Sequence, residues 1–219
     1  MVKQPPWTAS SLDAYMTCPH RYYRVRVARD VKDLPPSDAV LLGRKLHTAF
    51  ENAVNLGDAL PSDYRHWQSI LDQIRAMPGE KFPEFKFGID ENFTPCDFYD
   101  KKVWSRGAAD LVIKKGKECI IFDYKTGKRK PSDQLKLYAA YAFALWPEIE
   151  TVHTCFVWLK ERKTDKAKYT RDQLSEIWQD FVPIVARVRN SFEKNDWPQR
   201  PSGLCRKWCP VRDCKYCGI

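Results

Sequence analysis

The sequence predicts an α/β fold: a mixed central β-sheet flanked by helices, with a Cys-rich clip at the C-terminus. Three observations carry that expectation. First, Leu111–Lys114 is apolar and β-branched, Gly116-Lys117 suits a tight turn, and Glu118–Lys125 reads as a returning strand, so the pair forms an antiparallel hairpin. Second, a strand over 118–125, a helix over 132–146 and a strand over 151–159 make a βαβ unit, whose strands are parallel and whose crossover is right-handed. Third, Cys205, Cys209, Cys214 and Cys217 crowd the last fifteen residues, a stretch too short to build a core of its own.

The remaining elements follow in chain order within one expected domain, 1–219. Its parts are a helical N-terminal portion (1–80), an α/β core (81–196) and a Cys-rich tail (197–219). A short helix opens near Ser10, where Ser10 and Asp13 have capping-box spacing, and stops at Cys18-Pro19 because a residue before proline is pushed out of the helical region. A basic, aromatic run from His20 to Arg26 and a Pro-containing loop over Leu34–Ser37 lead into a helix over Ala39–Leu56, with Leu42, Leu46, Ala49, Phe50 and Ala53 as its apolar stripe. Ser62–Met77 is a further helix, stopped by Pro78-Gly79. Phe82–Ile89 and Lys102–Trp104 read as strands ahead of the hairpin. Ser132 caps the helix that runs to Trp146, before Pro147. Thr170–Lys194 is a long amphipathic helix, bent or interrupted near Pro183.

Composition bounds the function classes. Hydrophobic residues make up 43% of the 219 residues and aromatics 13%, which is enough for a packed core and excludes a disordered chain. No apolar run approaches the roughly 20 residues that span a bilayer, and Met1–Trp7 has no apolar signal region. The expected setting is therefore the cytoplasm, of the host cell if the protein is viral. A net charge of +9 favours a polyanionic partner.

The hairpin carries the chemistry. A two-residue turn at Gly116-Lys117 sets Asp110 opposite Asp123, and Lys125 shares the face of Asp123. Directly opposed residues have Cβ atoms roughly 4.5–5.5 Å apart, where like charges destabilise. Either a cation sits between the carboxylates or nearby Lys and Arg neutralise them. The apolar run Ile120–Phe122 favours the cation, because a carboxylate pair entering from a buried strand is costly unless coordinated. A hard divalent ion, Mg2+ or Mn2+, suits such ligands, and phosphate chemistry is its usual purpose.

Asp110 followed by Asp123-Tyr124-Lys125 resembles the split signature of the PD-(D/E)XK nuclease superfamily, with Ala109 in place of its proline. Three more elements resemble its RecB-like exonuclease branch, which includes CRISPR-adaptation and phage nucleases: Gly43-Arg-Lys-Leu-His47 on an upstream helix, Thr126-Gly127-Lys128, and Gln134-Leu-Lys-Leu-Tyr138. The resemblance runs from about Ser10 to the C-terminus. It implies a metal held by Asp110, Asp123 and the backbone carbonyl of Tyr124, with His47 as a further ligand or a phosphate-side contact. It makes Lys125, Gln134 and Tyr138 members of the catalytic set. Gln134 and Tyr138 share a helix face with Tyr141 beside them, although Tyr138 also suits plain core packing. Glu84 resembles the acidic residue on the strand before the hairpin, and a solvated edge charge explains it equally well. Glu51, four residues after His47, is a candidate to orient its ring.

The cysteines leave three assignments open. Four tail thiolates suit zinc, or Cys18 joins three of them around an iron–sulfur cluster, or the tail forms disulfides, which a reducing compartment disfavours. Cys119 and Cys155 read as small core residues. The resemblance selects a 4Fe-4S cluster on Cys18, Cys205, Cys209 and Cys214, with Cys217 as a substitute. Arg21, Arg24 and Arg26 after Cys18, and Lys128, Arg129 and Lys130 after the hairpin, are candidates to track phosphates; Tyr22, Tyr23, Trp208 and Tyr216 are candidates to stack on bases. The expected activity is a metal-dependent deoxyribonuclease, an exonuclease on single-stranded DNA or duplex ends, with a recombinase or integrase as a candidate partner. A non-catalytic nucleic-acid-binding module organised by the cysteine site is the competing reading.

Overall fold

The computed structural model describes residues 4–218. They form two compact units: one from the N-terminus to Pro35 together with Trp178 onward, the other Pro36–Ile177.

The first unit begins with α1 (Ala9–Thr17), whose cap is Thr8 rather than Ser10: the Thr8 hydroxyl accepts from Ser11 N while Ser11 answers to Thr8 N. Ser10 lies one position inside the helix, so the expected Ser10/Asp13 box is displaced. Cys18 then caps α2 (Pro19–Tyr22), with Pro19 at its first turn, and a π-helical turn covers Tyr23–Val27.

The second unit opens with α3 (Asp38–Leu56), whose buried face is Gly43, Leu46, Phe50 and Ala53, and which ends at Gly57 in the left-handed conformation. The expected helix over Ser62–Met77 divides into a 3-10 segment (Ser62–Trp67) and α4 (Gln68–Ala76). Then come β1 (Glu80–Ile89), β2 (Ser105–Lys115), β3 (Glu118–Lys125), α5 (Gln134–Leu145), β4 (Thr151–Trp158) and β5 (Lys163–Thr170). The sheet order is β1-β2-β3-β4-β5, with β3 and β4 parallel and every other neighbour antiparallel. Leu111, Ile113, Phe122, Tyr124, Cys155 and Val157 pack against Leu46, Phe50, Leu71 and Ile74 of α3 and α4. On α5 the residues from Leu137 to Phe143 are all buried, as befits a helix with no polar side. After β5 comes α6 (Leu174–Lys194), which runs without interruption past Pro183 where a bend or an interruption was expected, and a 3-10 turn at Gly203–Cys205 follows in the tail.

Three boundaries differ from the sequence reading. Lys102–Trp104 is not a strand: the Asp100 carboxylate takes Lys102 N and the Asp100 carbonyl takes Val103 N, so the chain turns there and pairing starts at Ser105. Ser132 lies ahead of the α5 cap, which is Asp133, although its hydroxyl still accepts from Gln134 N. β5 went unread because Lys163–Lys168 is mostly charged; such composition is common on a sheet edge, where lysines discourage pairing with other chains. Among the described residues, no helix is long and apolar enough to cross a membrane.

Candidate active site

The hairpin register is the expected one, with Leu111 opposite Phe122 and Lys115 opposite Glu118 around Gly116-Lys117. The ladder ends at Leu111–Phe122, however, so Asp110 and Asp123 follow the last pair instead of forming one. The Asp110 carboxylate takes the place of a backbone acceptor: its Oδ2 receives Tyr124 N at 2.5 Å. The β1–β2 ladder breaks at the same place, passing from Pro83–Leu111 to Phe85–Ala109 and skipping Glu84–Asp110. Glu84 has φ +47°, a conformation rare for a residue with a side chain, and a residue so turned interrupts pairing.

The break reverses which way β2 faces. Leu111 and Ile113 point to the α3/α4 core, whereas Ser105 bonds Tyr141 Oη at 2.5 Å and Gly107 lies under the α5 tyrosines on the other side. A Cβ at Gly107 would stand 2.9 Å from carbons of both Tyr138 and Tyr141. Glycine is thus required where the helix comes down on the strand. Gly43 acts similarly on α3, where a Cβ would lie 2.8 Å from Thr126 Oγ1. That close approach lets His47, one turn further along, reach the end of β3.

Around the break the polar groups converge. His47 Nε2 lies 2.8 Å from the Tyr124 carbonyl and Nδ1 lies 3.2 Å from Asp110 Oδ1. Both ring nitrogens therefore face acceptors, and a neutral imidazole has only one N–H. Burial opposes a charged ring, but Asp110 and the Tyr124 carbonyl outweigh it, and the His47 pKa is raised. Ligand atoms of His47, Glu84 and Asp110 all lie within 4.8 Å of one another. Burial, then Asp110 and Glu51, raise the Glu84 carboxyl, which places Glu84 with the site and not on a solvated edge. Glu51 thus acts on Glu84, and no contact to the His47 ring supports its expected orienting role.

Asp123 is 3% exposed. Its Oδ1 accepts from Gln134 Nε2 at 2.9 Å. Its Oδ2 forms an ion pair with Lys125 Nζ at 2.5 Å. Burial and then Asp110 push the Asp123 carboxyl up to about 7, against the pull of Lys125 and His47. Gln134 joins the parts: its Oε1 accepts from Lys125 Nζ at 3.0 Å and its Nε2 also reaches Tyr138 Oη at 2.5 Å. Tyr138 in turn donates to the Ala108 carbonyl, and burial holds its pKa well above the ordinary value, so it stays a phenol that fixes Gln134. The carboxylates of Glu84 and Asp110, the His47 imidazole and the Tyr124 carbonyl, with Asp123 one residue away on β3, form a donor set suited to a hard divalent cation.

The cysteines gather in the first unit. Cys18, Cys205, Cys209 and Cys214 line one cavity with His20, Arg21 and Arg200, while Cys217 is absent from its lining and its sulfur faces Arg212. None of the eight cysteines is joined in a disulfide. Cys209 is raised chiefly by burial, with Cys205 and Cys18 adding to the shift. Among the described residues, no three sulfurs come within 4.8 Å of one another. Four thiolates on a single zinc, at about 2.3 Å each, would stand about 3.8 Å apart. Cys119 and Cys155 are buried in the sheet, as expected.

The expected nucleic-acid contacts are largely committed elsewhere. Arg21 pairs with Asp33, and Arg24 with Asp30 and Asp213. Tyr22 is buried and packs on Trp197, so its ring face is not offered to a base. Arg129 is bound to Asp165 and Glu161, whereas Lys128 and Lys130 stay exposed.

The PD-(D/E)XK nuclease superfamily matches this chain over residues 6–217. Among solved structures, the Eubacterium rectale protein called Putative exonuclease superposes with a TM-score of 0.53 at 12% identity, over 97% of this chain and 86% of that one. SSO0001 does so with a TM-score of 0.46 at 12% identity, over 99% and 90%. No curated protein matches the sequence. A mixed five-stranded sheet, a broken hairpin that gathers carboxylates beside a lysine, and a family match across nearly its whole length agree: the chain belongs to the PD-(D/E)XK nuclease superfamily.

Proposed function

We propose that this protein is a divalent-metal-dependent DNA exonuclease of the RecB-like branch, acting on single-stranded DNA or duplex ends in recombination, repair or CRISPR-type DNA processing. The observation that carries the reading is the convergence of His47, Glu84 and Asp110 at the Tyr124 carbonyl, next to the Asp123–Lys125 pair on the same strand. Asp110, Asp123, the Tyr124 carbonyl and His47 would hold Mg2+ or Mn2+, with Glu84 as a further carboxylate. Bound there, the ion supplies a water of lowered pKa and polarises the scissile phosphate. Lys125, held between Asp123 and Gln134, orients the attacking water or meets the negative charge that develops on phosphorus-bound oxygen. Gln134 sets that ammonium and the Asp123 carboxylate together, and Tyr138 sets Gln134.

Digestion of end-labelled single- and double-stranded oligonucleotides with Mg2+ or Mn2+, then with EDTA, tests the reading. Cleavage should require the metal and vanish in Asp123→Ala and Lys125→Ala, with DNA binding largely kept. Undiminished cleavage by highly purified Asp123→Ala protein would refute the site, and binding without cleavage under every metal would favour a non-catalytic module.

The cavity lined by Cys18, Cys205, Cys209 and Cys214 supports a 4Fe-4S cluster, because it gathers the four thiols that such a cluster takes as ligands. Its role would be to join the Cys-rich tail to Cys18. Stoichiometric zinc without iron would overturn that assignment.

A further inference from the structure

The loop between β1 and β2 carries a built aromatic and cationic platform that the catalytic set does not use. Tyr99 is 70% exposed, unusual for so large a ring. It is nonetheless held in place. Its N–H is bound by Asp97 Oδ1 at 2.8 Å, its hydroxyl receives Lys86 Nζ at 3.2 Å, and the same ammonium lies 5.2 Å from the ring centre. Phe98 meets Tyr99 edge-on at 4.9 Å, and the Arg106 guanidinium stacks on Phe98 at 4.8 Å while donating to the Phe98 carbonyl.

These contacts fix an open ring beside Lys86, with Phe98 between Lys86 and Arg106, and each cation comes from a strand of the candidate site. Lys86 is two residues beyond Glu84 on β1, near enough to lower the Glu84 pKa, and Arg106 is four residues before Asp110 on β2. Ala108, between Arg106 and Asp110, is exposed. At about 3.3 Å per strand residue, Lys86 and Arg106 stand about 7 and 13 Å along their strands from Glu84 and Asp110. That is within one or two nucleotides of a phosphate at the metal-ligating group.

We propose that Lys86, Phe98, Tyr99 and Arg106 form a subsite for an unpaired nucleotide of the substrate strand, its base stacked on Tyr99 and its phosphate met by Lys86 or Arg106. The assignment rests on the nucleic-acid reading of the neighbouring site. Base–aromatic stacking tolerates any base, because each has a π-face, and the flanking cations supply the charge complement. A paired base has both faces occupied within the duplex, so the subsite selects single strands and frayed ends.

The test is equilibrium binding of fluorescent oligonucleotides in Ca2+ or EDTA, with a 2-aminopurine base placed near the labelled end. Tyr99→Ala should weaken single-strand binding about tenfold, the order expected for one lost base–aromatic stack. It should also abolish the 2-aminopurine quenching and leave blunt-duplex binding unchanged; Tyr99→Phe should retain both single-strand affinity and quenching. Lys86→Ala should weaken binding and flatten its salt dependence. Because Tyr99 is exposed, its removal should not alter the melting temperature, which is measured in parallel. A wild-type protein that binds and cleaves, with Tyr99→Ala matching it in affinity and quenching, overturns the subsite alone. A wild-type protein that neither binds nor cleaves DNA overturns the subsite and the nuclease reading together.

Discussion

Asp123→Asn should stabilise the metal-free protein at pH 8 while abolishing cleavage. Burial, reinforced by Asp110, lifts the Asp123 carboxyl from its ordinary 3.8 to about 7 even with Lys125 alongside. Between those values the folded chain keeps a proton that the unfolded chain has released. Stability therefore falls as pH rises through that window and is lowest above it. At ~1.4 kcal/mol per pH unit, the displacement sets a ceiling of ~4 kcal/mol at pH 8. Relaxation around an ionised carboxylate lowers that ceiling, and a working figure of ~2 kcal/mol corresponds to a rise of about 4–8 °C in Tm for a chain of this size. Asparagine keeps the shape and an oxygen for Gln134 Nε2 while removing the charge. The assay is thermal denaturation in EDTA at pH 5 and pH 8, with cleavage of an end-labelled strand in Mn2+ run beside it. A gain at pH 8 that largely disappears at pH 5 is the expected pattern. A variant that melts at or below the wild type at pH 8 would refute the claim that the fold holds this carboxylate against its own ionisation.

Three further outcomes follow from the same geometry. Gln134→Ala removes the group that links Lys125, Asp123 and Tyr138, and should cut the cleavage rate by about 10–100-fold while leaving the fold intact by circular dichroism. Gly107→Ala forces a Cβ against Tyr138 and Tyr141 and should cost ~1–3 kcal/mol in urea denaturation, the usual toll of overpacking. Glu84→Gln should weaken Mn2+ binding by about tenfold in calorimetry; an unchanged affinity would place Glu84 outside the metal site.

Much of this was legible in the sequence because hairpins and βαβ units rest on local rules. Gly116-Lys117 set the register of β2 against β3, and apolar runs bounded by polar ones marked β3, α5 and β4. Asp110, Asp123, Lys125, Gln134 and His47 were expected to act as a set; in the structure Asp110 contacts His47, and Gln134 joins Asp123 to Lys125. What escaped the sequence depends on conformation. A glutamate at φ +47° has no local signature, so neither the break in both ladders nor the reversal of β2 at Asp110 could be read. Tyr22 looked like a stacking residue because composition does not tell a buried ring from an open one, whereas Tyr99, which is open, stood in an unremarkable loop. Gly43 and Gly107 did carry a signal: an isolated glycine within a helix or strand marks a close approach.

The break in the sheet also explains how a backbone carbonyl becomes available as a ligand. In an intact ladder both backbone groups of a central-strand residue are spent on its neighbours. β3 stays paired to β4 through Lys125, but its pairing to β2 ends at Phe122. Tyr124 therefore turns an N–H and a carbonyl toward a strand that no longer answers them, and side chains do so instead: Asp110 accepts the N–H and His47 meets the carbonyl. Each substitution places a potential metal ligand beside the next, so the same feature that costs ladder hydrogen bonds assembles the donor set. Glycine at position 84 would adopt the positive φ without strain and remove the carboxylate, keeping the break but losing one ligand. A charged side chain at the strained position marks where the fold accepts a conformational cost, at the point where a carboxylate is set among like charges.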